Sequence, residues 1–228
     1  MTYPILYSLQ NCPYAIRARL GLFLARQPFR LRAVDLKNIP AEMLAASAKA
    51  TVPVLVIEGG VKACDEGQAA VKVIDESLDI MFWALCNNDP QDLLYNAEPT
   101  ASEDILRLIT RNDNEFIVDL ENYKYSKRHH DFAQLYYRDQ CERFVAHLEQ
   151  RLNQHDFFVG NCPSIADYAI LPFIRQFARV DRKWYLQAPY PNLRRWLGFQ
   201  LQQPLFTKVM AKYPQWITQH EEFLVGEL

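Results

Sequence analysis

The chain has 228 residues, half of them apolar, with 25 Lys and Arg set against 27 Asp and Glu. That length and apolar share supply a core for one large or two ordinary domains, and the near-balanced charge gives no footprint for nucleic acid or an anionic membrane. The five cysteines, at positions 12, 64, 86, 141 and 162, are odd in number and contain no C-x-x-C pair. This argues against a disulfide framework or a cysteine zinc site and predicts a reducing, cytoplasmic setting. No apolar run approaches membrane-spanning length, and no basic-then-apolar leader opens the chain, so neither a membrane span nor a secretory signal is predicted.

Taken in chain order, Pro4-Ile5-Leu6-Tyr7-Ser8 reads as a strand and Pro13 to Arg26 as a helix. Cys12-Pro13-Tyr14-Ala15 stands at their junction. A cysteine there meets the free N–H groups and positive end of a helix, which favour a thiolate, the form that attacks. Pro13 suits the first helical position. Ala15 occupies the place of a second cysteine, which favours one-thiol chemistry with an outside thiol over an internal disulfide. Taken alone, the pattern also fits a buried structural cysteine.

Phe29-Arg30-Leu31-Arg32-Ala33 alternates with period two and reads as a half-buried strand. Pro40 to Ala50 is a short helix candidate, Thr51 to Ile57 a third strand, Gly59-Gly60 a turn, Val71 to Ile74 a fourth strand and Ser77 to Leu85 a helix. The order β-α-β-α-β-β-α predicts a parallel crossover followed by a hairpin. Arg17 and Arg19 read as a solvated helix face, with Arg17 able to lend positive potential near the thiol. Val61-Lys62 and Asp65-Glu66 are echoed ten residues on by Val71-Lys72 and Asp75-Glu76. The echo reads as a duplication enlarging the hairpin, Val61 to Ala70.

Asn87-Asn88-Asp89-Pro90 breaks the alternation, and from about Ala101 the pattern is helical. Ile105 to Leu120 reads as one long helix and Phe132 to Leu152 as another. Ser164-Ile165-Ala166-Asp167 opens a third through a capping box, Pro172 is predicted to bend it, and Pro191 and Pro204 lie near further helix starts. The predicted domains are 1–88 (α/β), a linker 89–100, and 101–228 (all-helical).

This organisation resembles the glutathione S-transferase superfamily over nearly the whole chain. The match rests on Cys12-Pro13-Tyr14-Ala15, Val52-Pro53, Glu76-Ser77 with Ile80 and Trp83, and Ser164-x-x-Asp167. The cysteine motif is closest to the omega-like classes. The resemblance implies a thioredoxin-like N-terminal domain, an all-α C-terminal domain and glutathione as co-substrate with no metal. Cys12 is then the catalytic nucleophile of glutathione-dependent thiol transfer or reduction. Val52, before a cis Pro53, pairs with the glutathione backbone, and Glu76 and Ser77 hold the γ-glutamyl end.

In omega-like members a lysine before the proline of the second helix meets the glycyl carboxylate. Here Ile39 stands in that slot, with Lys37 nearby as a substitute. The rival pair Glu66-Gly67 lacks the hydroxyl and is rejected. An electrophile pocket between the domains is assigned to Tyr14, Tyr123, Tyr125, Trp184 and Tyr185, and a homodimer is implied. Two alternatives stand beside this reading. One is conjugation of glutathione to apolar electrophiles, aided by Tyr7 or Ser8. The other is a non-catalytic, protein-binding module on the same scaffold.

Overall fold

The computed structural model describes residues 2–58, 71–130 and 132–226. The duplicated segment, the rival pair Glu66-Gly67 and Cys64 lie outside the described residues. The first elements follow the expected order: β1 (Ile5–Ser8), α1 (Pro13–Leu24), β2 (Phe29–Ala33), α2 (Ala41–Ala46), β3 (Val54–Ile57), β4 (Lys72–Ile74) and α3 (Ser77–Asn87). The helical part comprises α4 (Pro99–Arg111), α5 (Ile117–His129), α6 (Gln134–Gln154), α7 (Ile165–Val180), α8 (Arg182–Gln187) and α9 (Pro191–Gln202). The chain ends with α10 (Pro204–Val209), α11 (Trp216–Gln219) and β5 (Phe223–Val225).

The sheet runs β4-β3-β1-β2-β5. β1 and β2 are parallel, with Ser8 opposite Ala33. β3 is antiparallel to β1, with Tyr7 opposite Val54, and β4 is antiparallel to β3, with Leu55 opposite Ile74. The crossover through α1 and the β3–β4 hairpin are those the sequence predicts. Together with the helices that follow, this is the thioredoxin-like α/β unit and all-helical unit expected of the chain.

The helical reading does not extend to the end of the chain. The chain divides into one compact unit holding residues up to Gln91 and those from Pro204 onward, and a second holding Asp92–Gln203. The last segment returns to the α/β unit, where β5 pairs antiparallel with β2, Phe29 opposite Val225 and Leu31 opposite Phe223. Glu222 completes the edge by pairing with Arg30 and Arg32, each at 3.0 Å. Gly226 ends the strand at φ +96°, and a Cβ there would lie 2.8 Å from the Gln27 carbonyl oxygen, so glycine is required. The tail thus covers an edge that would otherwise present unpaired backbone groups.

α1 is the central helix of this unit. Ile16, Leu20 and Leu22 are fully buried, each worth roughly 1.5–3 kcal/mol. It packs against α3 at Gly21, where a Cβ would meet the Met81 Cα at 2.6 Å. The arginines read as a solvated face are inside: Arg17 is 1% exposed and Arg19 3%. The physical reason is visible in α1 itself, which has no polar face. Apart from these two residues it is apolar all round after Tyr14, and such a helix is covered on every side.

In the helical unit the long helix expected from Ile105 to Leu120 is two helices, α4 and α5, joined by a π-helical turn over Asn112–Phe116. Its core centres on Phe177, with Phe116, Tyr123, Trp184 and Tyr185 at ring distances of 5.8, 6.0, 5.8 and 6.1 Å. The capping box is present: the Asp167 carboxylate accepts from the Ser164 N–H at 2.9 Å and its hydroxyl at 3.0 Å. Pro172 lies inside α7, which continues to Val180.

Candidate active site

The sheet register gathers the predicted glutathione-site residues. The carboxyl ends of parallel β1 and β2 lie together, and antiparallel β3 begins at that same end. β4, antiparallel to β3, finishes there too. Cys12 and Lys37 follow β1 and β2, Val52-Pro53 precedes β3, and Glu76-Ser77 follows β4. One end of the sheet therefore carries the residues that spacing alone leaves far apart, at the strand ends where open α/β sheets bind ligands.

Cys12 is the N-cap residue of α1, half-buried, with Pro13 opening the helix. Its thiol lies 3.9 Å from the Val52 carbonyl oxygen, toward which it donates. The Val52–Pro53 bond is cis, as the resemblance implies. Cys12 also packs, with Leu9 and Ile39, against a buried cluster that includes Tyr7, Met43 and Val52.

Arg19, two turns along α1, is buried beneath the loop that carries Cys12, where the sequence reading placed a solvated face. Its guanidinium donates to Ser8 Oγ, to the Leu9 and Gln10 carbonyls at 3.3 and 2.6 Å, and to the Val209 carbonyl at 2.9 Å. It therefore ties the loop carrying Cys12 to the returning tail. Burial pulls its pKa down to about 10, and attraction to the Cys12 sulfur opposes that pull. A cation with a carbonyl-lined seat beneath the loop favours an anion on Cys12.

The start of α3 presents a second anion-favouring feature. Among the described residues no side chain caps it, Ser77 is buried at its first position, and Glu76 precedes it in extended conformation. Lys49, also missed from sequence, donates to Glu76 at 2.6 Å and Asp75 at 3.0 Å, while Ser47 donates to Asp75 at 2.7 Å. The Ser47 and Lys49 bonds hold the Asp75 carboxyl below its usual range, and the bonds to Glu76 and Asp75 hold Lys49 above its own. The loop before Val52 is thereby fastened to the start of α3. Lys49 belongs to no motif, so only its position four residues before Pro53 could have drawn notice. Lys37 is exposed, its backbone N–H bonded to Asp35 Oδ1 at 3.0 Å.

The hydroxyls proposed to help conjugation are already engaged. Tyr7 accepts from Arg32 at 2.7 Å, and burial, partly opposed by Arg32, pushes its phenol up. Ser8 is buried against Arg19. Of the candidate electrophile residues, Tyr123, Trp184 and Tyr185 gather around Phe177 in the helical unit. Tyr14 is partly exposed beside Cys12, and Tyr125 is exposed and stacked on His129 at 4.3 Å. Tyr123 is fully buried in the helical core and its phenol is pushed up to about 12 by burial. Trp184 carries Arg138 over its ring at 4.5 Å, and Tyr185 is buried beside Phe177.

Two family models match: the glutathione S-transferase N-terminal domain over residues 11–84 and the C-terminal domain over 109–198. Among solved structures, the chain is similar to a glutathione transferase from Pseudomonas putida with one glutathione disulfide bound per subunit (TM-score 0.79, 17% identity, 93% of this chain and 92% of that one). It is also similar to glutathione transferase Omega 2C from Trametes versicolor (TM-score 0.73, 19% identity, 93% and 94%). A curated relative, elongation factor 1-gamma of Danio rerio, is 26% identical over 129 residues. That match spans 53% of this chain and only 28% of the relative's length.

Proposed function

The chain belongs to the glutathione S-transferase superfamily, and from that premise we propose a glutathione-dependent thiol transferase of omega-like type with Cys12 as nucleophile. The single observation that carries the reading is Cys12 at the open N-terminus of α1, its thiol 3.9 Å from Val52 O and Arg19 buried beneath its loop.

The Cys12 thiolate attacks the glutathionyl sulfur of a mixed disulfide, forming Cys12–S–SG and releasing the other thiol, which takes up a proton. A second glutathione thiolate then attacks the Cys12-bound glutathione at sulfur. Glutathione disulfide leaves and the Cys12 thiolate returns. The Val52 backbone pairs with the cysteinyl part of glutathione like an added strand. The α3 N-terminus with Ser77 receives the γ-glutamyl carboxylate, and Glu76, shared with Lys49, takes the ammonium. Tyr14, partly exposed two residues after Cys12, meets the electrophile. A two-fold homodimer and a cytoplasmic setting belong to the same reading.

The test is initial-rate kinetics on the mixed disulfide of glutathione and 2-mercaptoethanol, varying both substrates. Parallel double-reciprocal lines are expected. Intersecting lines, or no turnover above the uncatalysed exchange, would defeat the proposal.

Two binding predictions follow from the site. Ser77→Ala removes a hydrogen bond to a charged carboxylate, worth ~1.5–3 kcal/mol, so the glutathione Kd should rise about tenfold to a hundredfold by calorimetry. An unchanged Kd would place the γ-glutamyl group elsewhere. Ile39 packs beside Cys12 where a lysine would meet the glycyl carboxylate, so Ile39→Lys should tighten binding by supplying a charge-assisted bond. Lys37→Ala should weaken wild-type binding at low salt only if this exposed residue substitutes for it. No change in either variant would remove both residues from the site.

The similarity to elongation factor 1-gamma favours a second reading, a binding module without chemistry. It predicts glutathione binding or none, but no covalent Cys12 intermediate.

A further inference from the structure

The turn between α5 and α6 carries an exposed apolar tip that the thiol chemistry does not use. α5 is closed by His130 at φ +54°, and α6 begins at Gln134. In the turn Phe132 is fully exposed, and Leu135 and Tyr136, in the first turn of α6, are 57% and 60% exposed. Their spacing, i, i+3 and i+4, sets side chains on one face of a helical turn. Tyr125, near the end of α5, is 62% exposed and stacks on His129 at 4.3 Å. One exposed apolar side chain is ordinary, but four about one turn form a patch.

Cations stand around this patch. Lys127, Arg128 and His129 make the last turn of α5. Lys127 pairs with Asp181 at 2.8 Å, and Arg138 of α6 lies over the Trp184 ring at 4.5 Å. The start of α8, with Arg182 and Lys183, therefore meets the same end of the helical unit. Residues 124–139 and 175–183 together hold eight Lys or Arg against three Asp, in a chain whose acidic residues outnumber its basic ones. The near-balanced charge of the whole chain conceals a basic cap. Arg128, Arg182 and Lys183 form no ion pair among the described residues. Helix electrostatics accounts for the cations that end α5, but not for Arg182 and Lys183, which open α8.

Charge and apolar tip together select the partner. The cations call for an anionic surface, and side chains projecting from a convex turn gain most from an apolar phase they can enter. A second copy docked through this tip is disfavoured, because a two-fold contact sets the same cations against each other. Nucleic acid answers the charge, but its phosphates offer nothing to Leu135. An anionic bilayer answers both: headgroups meet the cations, whose apolar stems lie along the interface, and the tip enters the boundary below.

We propose that the α5–α6 turn docks the chain on an anionic lipid surface, with Phe132 and Leu135 entering the headgroup–acyl boundary and Arg128, Arg182 and Lys183 on the lipid phosphates. This inference is independent of the glutathione chemistry and stands or falls separately from it.

The test is co-sedimentation of the full chain with vesicles of phosphatidylglycerol and phosphatidylcholine, or of phosphatidylcholine alone. At low salt the mixed vesicles are expected to bind at least about tenfold more tightly, and ~0.5 M salt should remove most of that difference by screening. Phe132→Ser should weaken binding to the mixed vesicles about tenfold to a hundredfold, the span for one buried aromatic side chain. Arg128→Gln/Lys183→Gln should weaken it about twentyfold, at about fivefold per charge. Leu106→Ser, at an exposed apolar residue of α4, should leave it unaltered. Melting temperature, and mixed-disulfide turnover without vesicles, should match wild type in every variant. The proposal is overturned if both vesicles bind alike, if neither binds at millimolar lipid, if Phe132→Ser or the double variant binds like wild type, or if a single-stranded RNA binds more tightly than the mixed vesicles.

Discussion

Cys12→Ala should reduce glutathione-dependent turnover of a mixed disulfide to the uncatalysed rate, a loss of about 10³-fold or more, equivalent to ~4 kcal/mol of barrier. The size follows from the chemistry: without the sulfur, no covalent intermediate forms and the two exchange steps collapse into direct attack in solution. The fold should not suffer, because Cys12 is a half-buried N-cap whose side chain forms no capping hydrogen bond. Glutathione affinity should persist, since Val52, Glu76 and Ser77 remain. Cys12→Ser should also lose reduction, because an alkoxide is a poor partner in disulfide exchange, while conjugation of an apolar electrophile is retained or gained. The check is steady-state kinetics on both reactions with matched melting curves. Reduction that survives in Cys12→Ala would transfer the chemistry to another group.

The largest effect on stability is expected at Asp167. It is fully buried and accepts four hydrogen bonds: from the Phe158 N–H at 3.1 Å, the Ser164 N–H at 2.9 Å and hydroxyl at 3.0 Å, and the Trp196 indole at 3.0 Å. Asp167→Ala orphans these donors at ~1–3 kcal/mol each, partly relieved by water entering the space, so a loss of about 4 kcal/mol or more is expected. For a chain of this length that is a fall of roughly 10 °C in Tm.

Burial pushes the Asp167 carboxyl up to about 6 from its usual 3.8, against the hydrogen bonds that pull it down. A raised folded-state pKa means the folded state holds the proton more tightly. The resulting contribution is complete below about pH 4 and lost as pH rises through about 6. Asp167→Asn removes that titration. The advantage of wild type over the Asn variant should therefore shrink between pH 4 and 6 and be flat above about 7, measured by denaturant unfolding. A difference independent of pH across that window would contradict the assignment.

The parts of this molecule that were legible in sequence have local causes. Phe29–Ala33 alternates with period two and forms β2 over those residues. Ser164 and Asp167 announce a helix start by their own hydrogen bonding. Cys12-Pro13 marks the helix start that the structure places at Pro13.

The parts that were not legible depend on partners distant in sequence. Phe223-Leu224-Val225 carries no alternation of its own and becomes a strand because β2 offers it an open edge. Arg19 looks like surface until its carbonyl partners, from residues 9, 10 and 209, close around it. Lys49 acquires meaning only when Asp75 and Glu76 fold next to it. The aromatic residues show the converse error. Tyr123 and Tyr185 suggest ligand contact by type and position, yet both lie inside the helical unit around Phe177.

The most direct measurement is covalent trapping. The protein is incubated with glutathione disulfide, the intact mass is recorded, and the modified thiol is located by peptide mapping without reductant. Attack by the Cys12 thiolate on one sulfur leaves glutathione on Cys12 and releases one glutathione. Cys141 should stay inert, because it is buried and its thiol is pushed up by that burial. One glutathionyl group per chain is expected, on Cys12, formed faster than on exposed Cys86 or Cys162 and removed by added glutathione. Modification confined to Cys86 and Cys162, with Cys12 unmodified, would contradict it.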